Sequence, residues 1–355
     1  MNTTPTLPAE WADQSAVMLT WPHPGSDWDD QLEEVEQLYL EISHHITRRQ
    51  ALLVVCHSES HYRRTADRMK AAKIRGERVH FAIAPSNDSW ARDHGPLTVL
   101  GPGGPQLLDF QFNGWGAKYP YELDNLISPT LFKSGIFGNT TGRSVALVLE
   151  GGALETDGQG TLLATRSSIL DKRRNPALNQ QQVESQLASQ LGFRRFLWLA
   201  HGHLSGDDTD GHIDTLVRFA DPATLIHVTA QPDDPDFPEL EAMVSELKAF
   251  RQADGEPYRL LALPPPPACL GDNGERLPAS YANFLIINDA VLLPVYGGPG
   301  DAQAQEVLQQ AFPGREIIPV NCLPLIRQHG SLHCITMQFP AQLRLHRSES
   351  VRAAG

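Results

Sequence analysis

Apolar residues along the chain follow two alternating patterns, one with the spacing of a helix and one typical of a buried strand. Five segments carry apolar positions three and four residues apart, and a short apolar run follows each of them. The predicted helices cover about residues 30–49, 59–73, 179–191, 236–250 and 301–312. The strands that follow them cover about residues 51–57, 79–85, 194–200, 258–264 and 315–320. This order predicts an α/β fold.

Between about residues 97 and 168 the pattern consists mostly of short strands. Apolar runs at 107–112, 145–150 and 161–165 predict strands, with a short helix near residues 124–132. No Gly/Ser-rich or charged linker divides the chain. The proline-rich segment 263–274 is predicted to be a surface loop rather than a domain boundary. We therefore expect a single domain over residues 1–355.

Composition indicates a globular chain without a membrane segment or a membrane partner. Of the 355 residues, 41% are apolar and 20% are charged, and the longest apolar runs are far too short to span a bilayer. The amino-terminal residues lack the basic and apolar regions of an export signal. Four cysteines without a CxxC pattern favour a reduced, cytoplasmic protein. The formal net charge of −13 disfavours nucleic acid and favours cationic partners.

Three of the predicted strands end in segments that are rich in Asp, His, Trp or Cys. These segments are residues 86–96, 201–214 and 321–334, and each follows a helix–strand unit. Loops at the ends of a rigid sheet are where functional sites are usually built. The pattern therefore predicts that the three segments contribute to one shared cleft.

The segment HGHLSGDDTDGHID, residues 201–214, has two interpretations. Its three His and four Asp are donors that suit Zn, Fe or Mn, but their spacing matches neither HExxH, HxHxDH nor an EF-hand. A solvated acidic loop at a strand end is the alternative. His212 and Asp214 lead into a predicted strand at 215–221. Residues two apart on a strand project from one face, where this pair could handle protons and cations together.

The segment NDSWARDHGP, residues 87–96, has the composition of an Asx or type I turn. A turn does not require Trp90 beside Asp93, however, and an aromatic face near a carboxylate suits a planar cation such as guanidinium. The Gly-rich segments 112–116 and 150–160 lack the format of a nucleotide-binding loop. We predict turns there that let the backbone approach the cleft closely.

Cys334 lies in HGSLHCITMQF, residues 329–339, just before an apolar run typical of a strand. A lone cysteine in such a context is more often a small buried hydrophobe than a nucleophile. A catalytic interpretation depends on an acid/base residue and a cation site elsewhere in the chain, because these partners need only be near in space.

Taken in order, eight segments resemble the agmatine deiminases and bacterial-type peptidylarginine deiminases of the guanidino-group modifying superfamily. They are PAEWADQSAVMLTWP, NDSWARDHGP, FNGWGAKY, LEGGALETDGQGTLLAT, RNP, GDDTDGHIDTLVRF, YANFLIIN and HGSLHCITMQ, from residue 8 to about 339. The resemblance implies a single deiminase catalytic domain with a five-bladed α/β propeller (pentein) fold, built from ββαβ modules with pseudo-five-fold symmetry.

The resemblance also implies the roles of individual residues, and no metal or organic cofactor. Cys334 would be the nucleophile, His212 the general acid/base, and Asp93 and Asp214 the carboxylates that hold the guanidinium. The residues expected to contact substrate are Trp90, Trp115, Asp207, Asp208 and the residue at position 331. That residue is a serine, Ser331, and it directly follows Gly330. His333 is interpreted as a neighbour of the nucleophile, because the acid/base histidine is His212, more than 100 residues upstream.

The implied reaction converts a guanidino group to a ureido group and ammonia through a covalent Cys thiouronium intermediate. Asp208, with Asp207 beside it, favours a small cationic substrate, agmatine, over peptidylarginine. The product would be N-carbamoylputrescine, in putrescine biosynthesis. Two alternatives remain, a metal-dependent hydrolase on His201, His203, Asp208 and His212 and an acidic module that only binds polyamines or basic peptides. A homo-oligomer is compatible with the sequence.

Overall fold

The computed structural model describes residues 5–348, which divide into two compact units. The first unit comprises Ala12–Gly151 together with Pro5 and residues 334–348, and the second comprises Thr6–Trp11 and Gly152–His333. The proline-rich loop 263–274 lies inside the second unit and is not a boundary between the two. A single catalytic domain over residues 1–355 stays a prediction.

The first unit contains two mixed sheets. One has the order β16-β1-β2-β3, with β1 (Gln14–Thr20), β2 (Ala51–Cys56), β3 (Val79–Ile83) and β16 (Thr336–Pro340). The other joins β4 (Leu97–Gly101), β5 (Gly104–Gln111) and β6 (Gly142–Val148) in that order. The helices are α1 (Leu32–Thr47), α2 (Glu59–Ala71), α3 (Ala91–His94), α4 (Gly114–Ala117) and α5 (Ile127–Lys133).

The second unit contains three sheets of three strands each. They are formed by β7 (Glu155–Thr156), β8 (Thr161–Thr165) and β9 (Arg195–Leu199), by β10 (Val217–Asp221), β11 (Thr224–His227) and β12 (Arg259–Ala262), and by β13 (Leu285–Ile287), β14 (Ala290–Val295) and β15 (Glu316–Asn321). The helices are α6 (Arg166–Ile169), α7 (Gln180–Leu191), α8 (Phe237–Ala249), α9 (Gly300–Ala311) and α10 (Leu323–Ile326).

All five of these sheets repeat one arrangement of strands. A middle strand pairs antiparallel with one neighbour and parallel with the next, and a helical connection leads to the parallel strand. In the first sheet, β16 pairs antiparallel with β1, and β1 continues through α1 to the parallel strand β2. This arrangement is the ββαβ module that the resemblance implies, so the α/β fold class is confirmed.

Local sequence explains where these elements begin and end. In α7 the Asn179 side chain accepts a hydrogen bond from Gln182 N at 3.0 Å, and the Gln182 side chain accepts one from Asn179 N at 2.9 Å. This reciprocal pair is a capping box, and Gly192 ends the helix with a φ of 81°, which favours glycine. The predicted helix at 179–191 is therefore confirmed. No described helix is long and apolar enough to cross a membrane.

One predicted strand begins later than its sequence suggests. Residues Ile213–Thr215 form a 3₁₀ turn, and the strand starts only at Val217. The turn is favoured because Thr209 Oγ1 accepts a hydrogen bond from His212 N at 3.1 Å and Thr215 Oγ1 donates one to His212 O at 2.9 Å. The expectation that His212 and Asp214 share one face of a strand is therefore wrong, since both precede it.

Candidate active site

In the first unit, the Asp93 carboxylate is held by a tryptophan. Trp115 Nε1 donates to Asp93 Oδ2 at 3.0 Å, and the two side chains are only 8% and 5% exposed. The Trp115 ring stands edge-on to Phe112, with 5.0 Å between the ring centroids. Trp115 has a φ of 55°, and Gly114 and Gly116 on either side also have positive φ values. The predicted glycine turn is thus present, and it aims the indole N–H at Asp93.

Cys334 lies two residues before the first residue of β16 and is 5% exposed. Its carbonyl oxygen accepts a hydrogen bond from Arg92 N at 3.0 Å, so Cys334 is joined to the residue next to Asp93. Gly151 packs on the same turn, because a Cβ there would lie 2.2 Å from Arg92 O. Gly151 therefore approaches the backbone of α3 closely, and an approach of the Gly-rich segments to a substrate cleft stays a prediction. Cys334 and Asp93 come from neighbouring stretches of one unit.

Trp90 is buried in an aromatic pair. Its ring centroid lies 5.5 Å from that of Trp28, and its Nε1 donates to Asp88 Oδ2 at 3.1 Å. Burial and the nearby charge of Asp27 raise the pKa of Asp88 to about 7. These contacts fix the loop that leads into α3. Stacking of a substrate cation on Trp90 stays a prediction.

In the second unit, the acidic loop before β10 is closed by one of its own carboxylates. Asp207 Oδ1 accepts from Thr209 Oγ1 at 2.6 Å, and Asp207 Oδ2 accepts from Gly211 N at 2.7 Å. Both carboxylate oxygens of Asp207 therefore shape the loop. Asp208, the next residue, is half-buried, and contact of either residue with a substrate amine stays a prediction.

Asp214 lies fully buried in a hydrogen-bonded network of the second unit. Its Oδ2 is 2.8 Å from His333 Nδ1, and its carbonyl oxygen accepts from Asn283 Nδ2 at 3.4 Å. Burial by itself would raise the pKa of Asp214, but the hydrogen bond and charge of His333, with smaller contributions from His212 and Arg218, lower it below its ordinary value. Asp214 is therefore a carboxylate at neutral pH.

His212 is almost completely buried and lies two residues before Asp214, at the start of the 3₁₀ turn. The threonine bonds that cap this turn fix its backbone on both sides. Its charge, when present, acts on Asp214. The turn thus keeps an imidazole and an ionised carboxylate within electrostatic reach of each other, although by a different local geometry from the predicted strand.

Three buried charged residues around His333 were not predicted as site residues. Arg218 Nε donates to Glu155 Oε2 at 2.8 Å, and Arg218 Nη2 donates to Glu10 Oε2. Glu10 Oε1 lies 2.8 Å from His333 Nε2. Burial raises the pKa of Glu155 to about 7 although Arg218 acts in the opposite direction. The sequence did contain one indication of these residues. All three occur in segments that carry the family resemblance, namely PAEW, LETDGQG and TLVRF.

Two further predicted groups have structural partners. His201 Nδ1 lies 2.9 Å from Glu246 Oε1, and Ser331 Oγ lies 3.1 Å from Tyr296 Oη.

Within residues 5–348, no group of three or more His, Cys, Asp or Glu side chains has an arrangement that could hold a metal ion. The metal-hydrolase alternative therefore lacks a preformed centre in this part of the chain.

The structure divides the predicted site residues into two sets. The first unit carries Cys334, Asp93, Trp90 and Trp115, and the second unit carries His212, Asp214, Asp207, Asp208 and Ser331. Within the first set, direct bonds join the Asp93 turn to Cys334 and to Trp115. Within the second set, one short turn holds His212 and Asp214.

Comparison with known proteins identifies relatives over nearly the whole chain. An agmatine deiminase from Stutzerimonas stutzeri is 30% identical over 359 residues, which cover 94% of this chain and 95% of the relative. A C. jejuni agmatine deiminase structure with substrate bound is 35% identical, with a TM-score of 0.87 over 96% of this chain and 97% of that one. A Porphyromonas gingivalis structure provisionally named an arginine deiminase is 46% identical, with a TM-score of 0.89 over 96% of this chain and 100% of that one.

The fold and these similarities define the class, which is that of hydrolases acting on guanidino C–N bonds. The family model of Porphyromonas-type peptidyl-arginine deiminases matches residues 6–340. The chain belongs to that family, and the resemblance seen in the sequence is confirmed.

Proposed function

We propose that this protein is an agmatine deiminase, which hydrolyses agmatine to N-carbamoylputrescine and ammonia in putrescine biosynthesis. One observation carries the proposal. Two buried carboxylates, Asp93 and Asp214, are each oriented by one specific side-chain donor, Trp115 and His333. Each fixed carboxylate is suited to bind one edge of a guanidinium, because the planar edges of this cation bind carboxylates through paired hydrogen bonds.

The proposed reaction uses Cys334 as nucleophile and His212 as general acid/base. Asp93 and Asp214 bind the guanidinium N–H groups and keep the positive charge on its carbon. Cys334 gives its thiol proton to His212 and attacks that carbon as a thiolate. The tetrahedral adduct collapses as His212 passes the proton to the departing nitrogen, which leaves as ammonia. Neutral His212 then takes a proton from water, which hydrolyses the thiouronium to the ureido product and frees the thiol. No metal enters this sequence of steps.

The choice of agmatine rests on charge at the far end of the substrate. Agmatine carries an ammonium there, whereas arginine and peptidylarginine carry a carboxylate or a peptide. Asp208 provides a half-buried carboxylate in the loop before His212, and two relatives named above are agmatine deiminases. The four cysteines are free thiols, which fits a reducing compartment, and we propose the cytoplasm.

A substrate panel tests this function. Purified protein is incubated with agmatine, arginine and arginyl peptides, and ammonia and ureido product are measured. Turnover of agmatine above the other substrates is expected, and activity on arginyl peptides without activity on agmatine would replace the substrate assignment. Activity that is lost on dialysis against a chelator and restored by Zn or Mn would favour the metal-dependent alternative.

The nucleophile is tested with a matched pair of cysteine variants. Cys334→Ala should abolish turnover, whereas Cys269→Ala, in the half-buried proline-rich loop, should retain it. Mass spectrometry after incubation with a haloacetamidine should find the adduct on Cys334. An active Cys334→Ala enzyme would refute the mechanism.

A further inference from the structure

His333 contacts a carboxylate through each of its ring nitrogens. Nδ1 lies 2.8 Å from Asp214 Oδ2, and Nε2 lies 2.8 Å and 3.0 Å from the two carboxylate oxygens of Glu10. The ring is completely buried. An ionised carboxylate only accepts hydrogen bonds, so both nitrogens donate when both carboxylates are ionised. Nε2 also lies 3.1 Å from Arg218 Nη2, which can only donate a hydrogen bond. Because both Glu10 oxygens lie closer to Nε2 than this nitrogen does, the geometry favours a buried imidazolium that bridges the two carboxylates.

Arg218 fixes the far side of this bridge. It pairs with Glu10 and with Glu155, and its Nη1 donates to the carbonyl oxygens of Ala282 at 3.1 Å and Phe284 at 2.8 Å. Every nitrogen of the guanidinium is therefore bonded to a defined acceptor. A guanidinium that is bonded in this way has little freedom to move, so Arg218 holds Glu10 at a fixed distance from the imidazole.

The charges of this network sum to a net negative charge, which a cationic substrate would neutralise. Three carboxylates, Asp214, Glu10 and Glu155, face two cations, Arg218 and the His333 imidazolium. Burial raises the pKa of Glu155 to about 7, so Glu155 is only partly ionised at neutral pH and the network carries at most one net negative charge. A bound guanidinium brings one positive charge and balances it. His212 is the other titratable group that acts on Asp214.

We propose that His333 is a positioning residue of this site, which holds the Asp214 carboxylate ionised and oriented towards the guanidinium, and that the Glu10–Arg218–Glu155 chain holds His333. The inference rests on the proposed function. It gives His333 a role beyond that of a neighbour of Cys334. The same residue also anchors its own backbone, because His333 N donates to Asn283 Oδ1 at 2.9 Å and to Asn283 O at 3.1 Å. Cys334 is the next residue in the chain.

Two substitutions separate the contact with Asp214 from the contact with Glu10. In His333→Asn the amide nitrogen can take the place of Nδ1 and still donate to Asp214, whereas in His333→Gln the amide reaches the Nε2 position and Glu10. We expect kcat/KM for agmatine to fall by less than about tenfold in His333→Asn, since a neutral donor replaces a charged one. It should fall by about 100-fold or more in His333→Gln, since Asp214 loses its orientation. His44→Asn and His44→Gln, at an exposed position of α1, are the controls.

Equal kcat/KM values for His333→Asn and His333→Gln, with thermal stability lowered to the same extent, would show a purely structural role and overturn the inference. A second measurement applies if both variants fail to fold. In wild-type protein labelled with ¹⁵N-histidine, the His333 ring should give the shifts of two protonated nitrogens at pH 7, and a neutral ring would overturn the inference. Absence of wild-type turnover with agmatine would instead refute the proposed function, while the ¹⁵N result would still decide the state of His333.

Discussion

The hydrogen bond from Trp115 to Asp93 gives the most direct test of how the first unit orients a carboxylate. Replacing Trp115 with Phe removes the only polar atom of the side chain and keeps an aromatic ring between Phe112 and Tyr119. The substitution adds no new backbone strain, because Trp and Phe both carry a Cβ at the positive φ of this position. The change therefore isolates one N–H group.

The size of the effect follows from burial and charge. The donor and acceptor are 3.0 Å apart, and both side chains are more than nine-tenths buried. A hydrogen bond to a charged group contributes about 1.5–3 kcal/mol. If Asp93 must hold the guanidinium in the transition state, losing this bond lowers kcat/KM about 10- to 150-fold, at about 1.4 kcal/mol for each factor of ten.

Steady-state ammonia release from agmatine measures the change, and circular dichroism thermal unfolding monitors folding. Trp198→Phe is a matched control, because Trp198 Nε1 donates to the Glu184 carboxylate at 2.7 Å between β9 and α7. Its loss removes the same kind of bond outside the proposed catalytic residues, and kcat/KM should stay within about twofold of wild type. A Trp115→Phe enzyme with wild-type kcat/KM, or equal losses in the two variants, would refute the reasoning.

Three further substitutions test other parts of the molecule. Asp208→Asn should raise the KM for agmatine about 10- to 100-fold with a smaller effect on kcat, since a charged hydrogen bond is lost. The control Asp272→Asn, at an exposed position, should leave this KM unchanged. If the two variants have equal KM values, Asp208 does not belong to the site. Gly151→Ala should lower both the melting temperature and turnover, because its Cβ would meet a backbone oxygen of α3 at 2.2 Å, whereas Gly103→Ala, with open space around its Cβ, should have neither effect. Burial raises the pKa of Asp124 to about 8, so its stabilising contribution is present below the unfolded-state pKa of about 3.9 and is lost as pH rises through about 8. The free energy of unfolding, measured with denaturant at pH 5 and pH 8, should therefore fall less with rising pH in Asp124→Asn than in wild type, and an unchanged difference would contradict the argument.

The secondary structure was predictable because each element is determined by nearby residues. The strand runs are apolar, and α7 has its own capping box and terminal glycine. The 3₁₀ turn at Ile213–Thr215 was not predictable in this way. It depends on a hydroxyl at Thr209 and on the loop that Asp207 closes, and the sequence pattern around it resembles an ordinary strand start.

The main candidate residues could be predicted from the sequence because the order of the motifs, rather than any single motif, indicated them. Cys334 alone resembles a buried hydrophobe, and it is indeed buried. The supporting residues were harder to find. Glu10, Glu155 and Arg218 are far apart in sequence, and isolated charged residues are expected on the surface rather than fully desolvated. Only the folded second unit shows that Glu155 pairs with Arg218, and that Arg218 and His333 share Glu10.

The buried network also carries an argument from energetics. Removing charged groups from water costs several kcal/mol for each group. Replacing a buried ion pair by apolar residues of similar volume is often neutral or stabilising by about 1–4 kcal/mol. Stability alone therefore gives no reason to keep Glu10, Arg218 and Glu155 in the core of the second unit. An oriented, ionised Asp214 does give a reason, because a carboxylate preorganised for a cation avoids reorganisation when charge moves during the reaction. Substitutions that make this core apolar should on this reasoning raise stability and lose activity, which is the expected trade-off at a functional site.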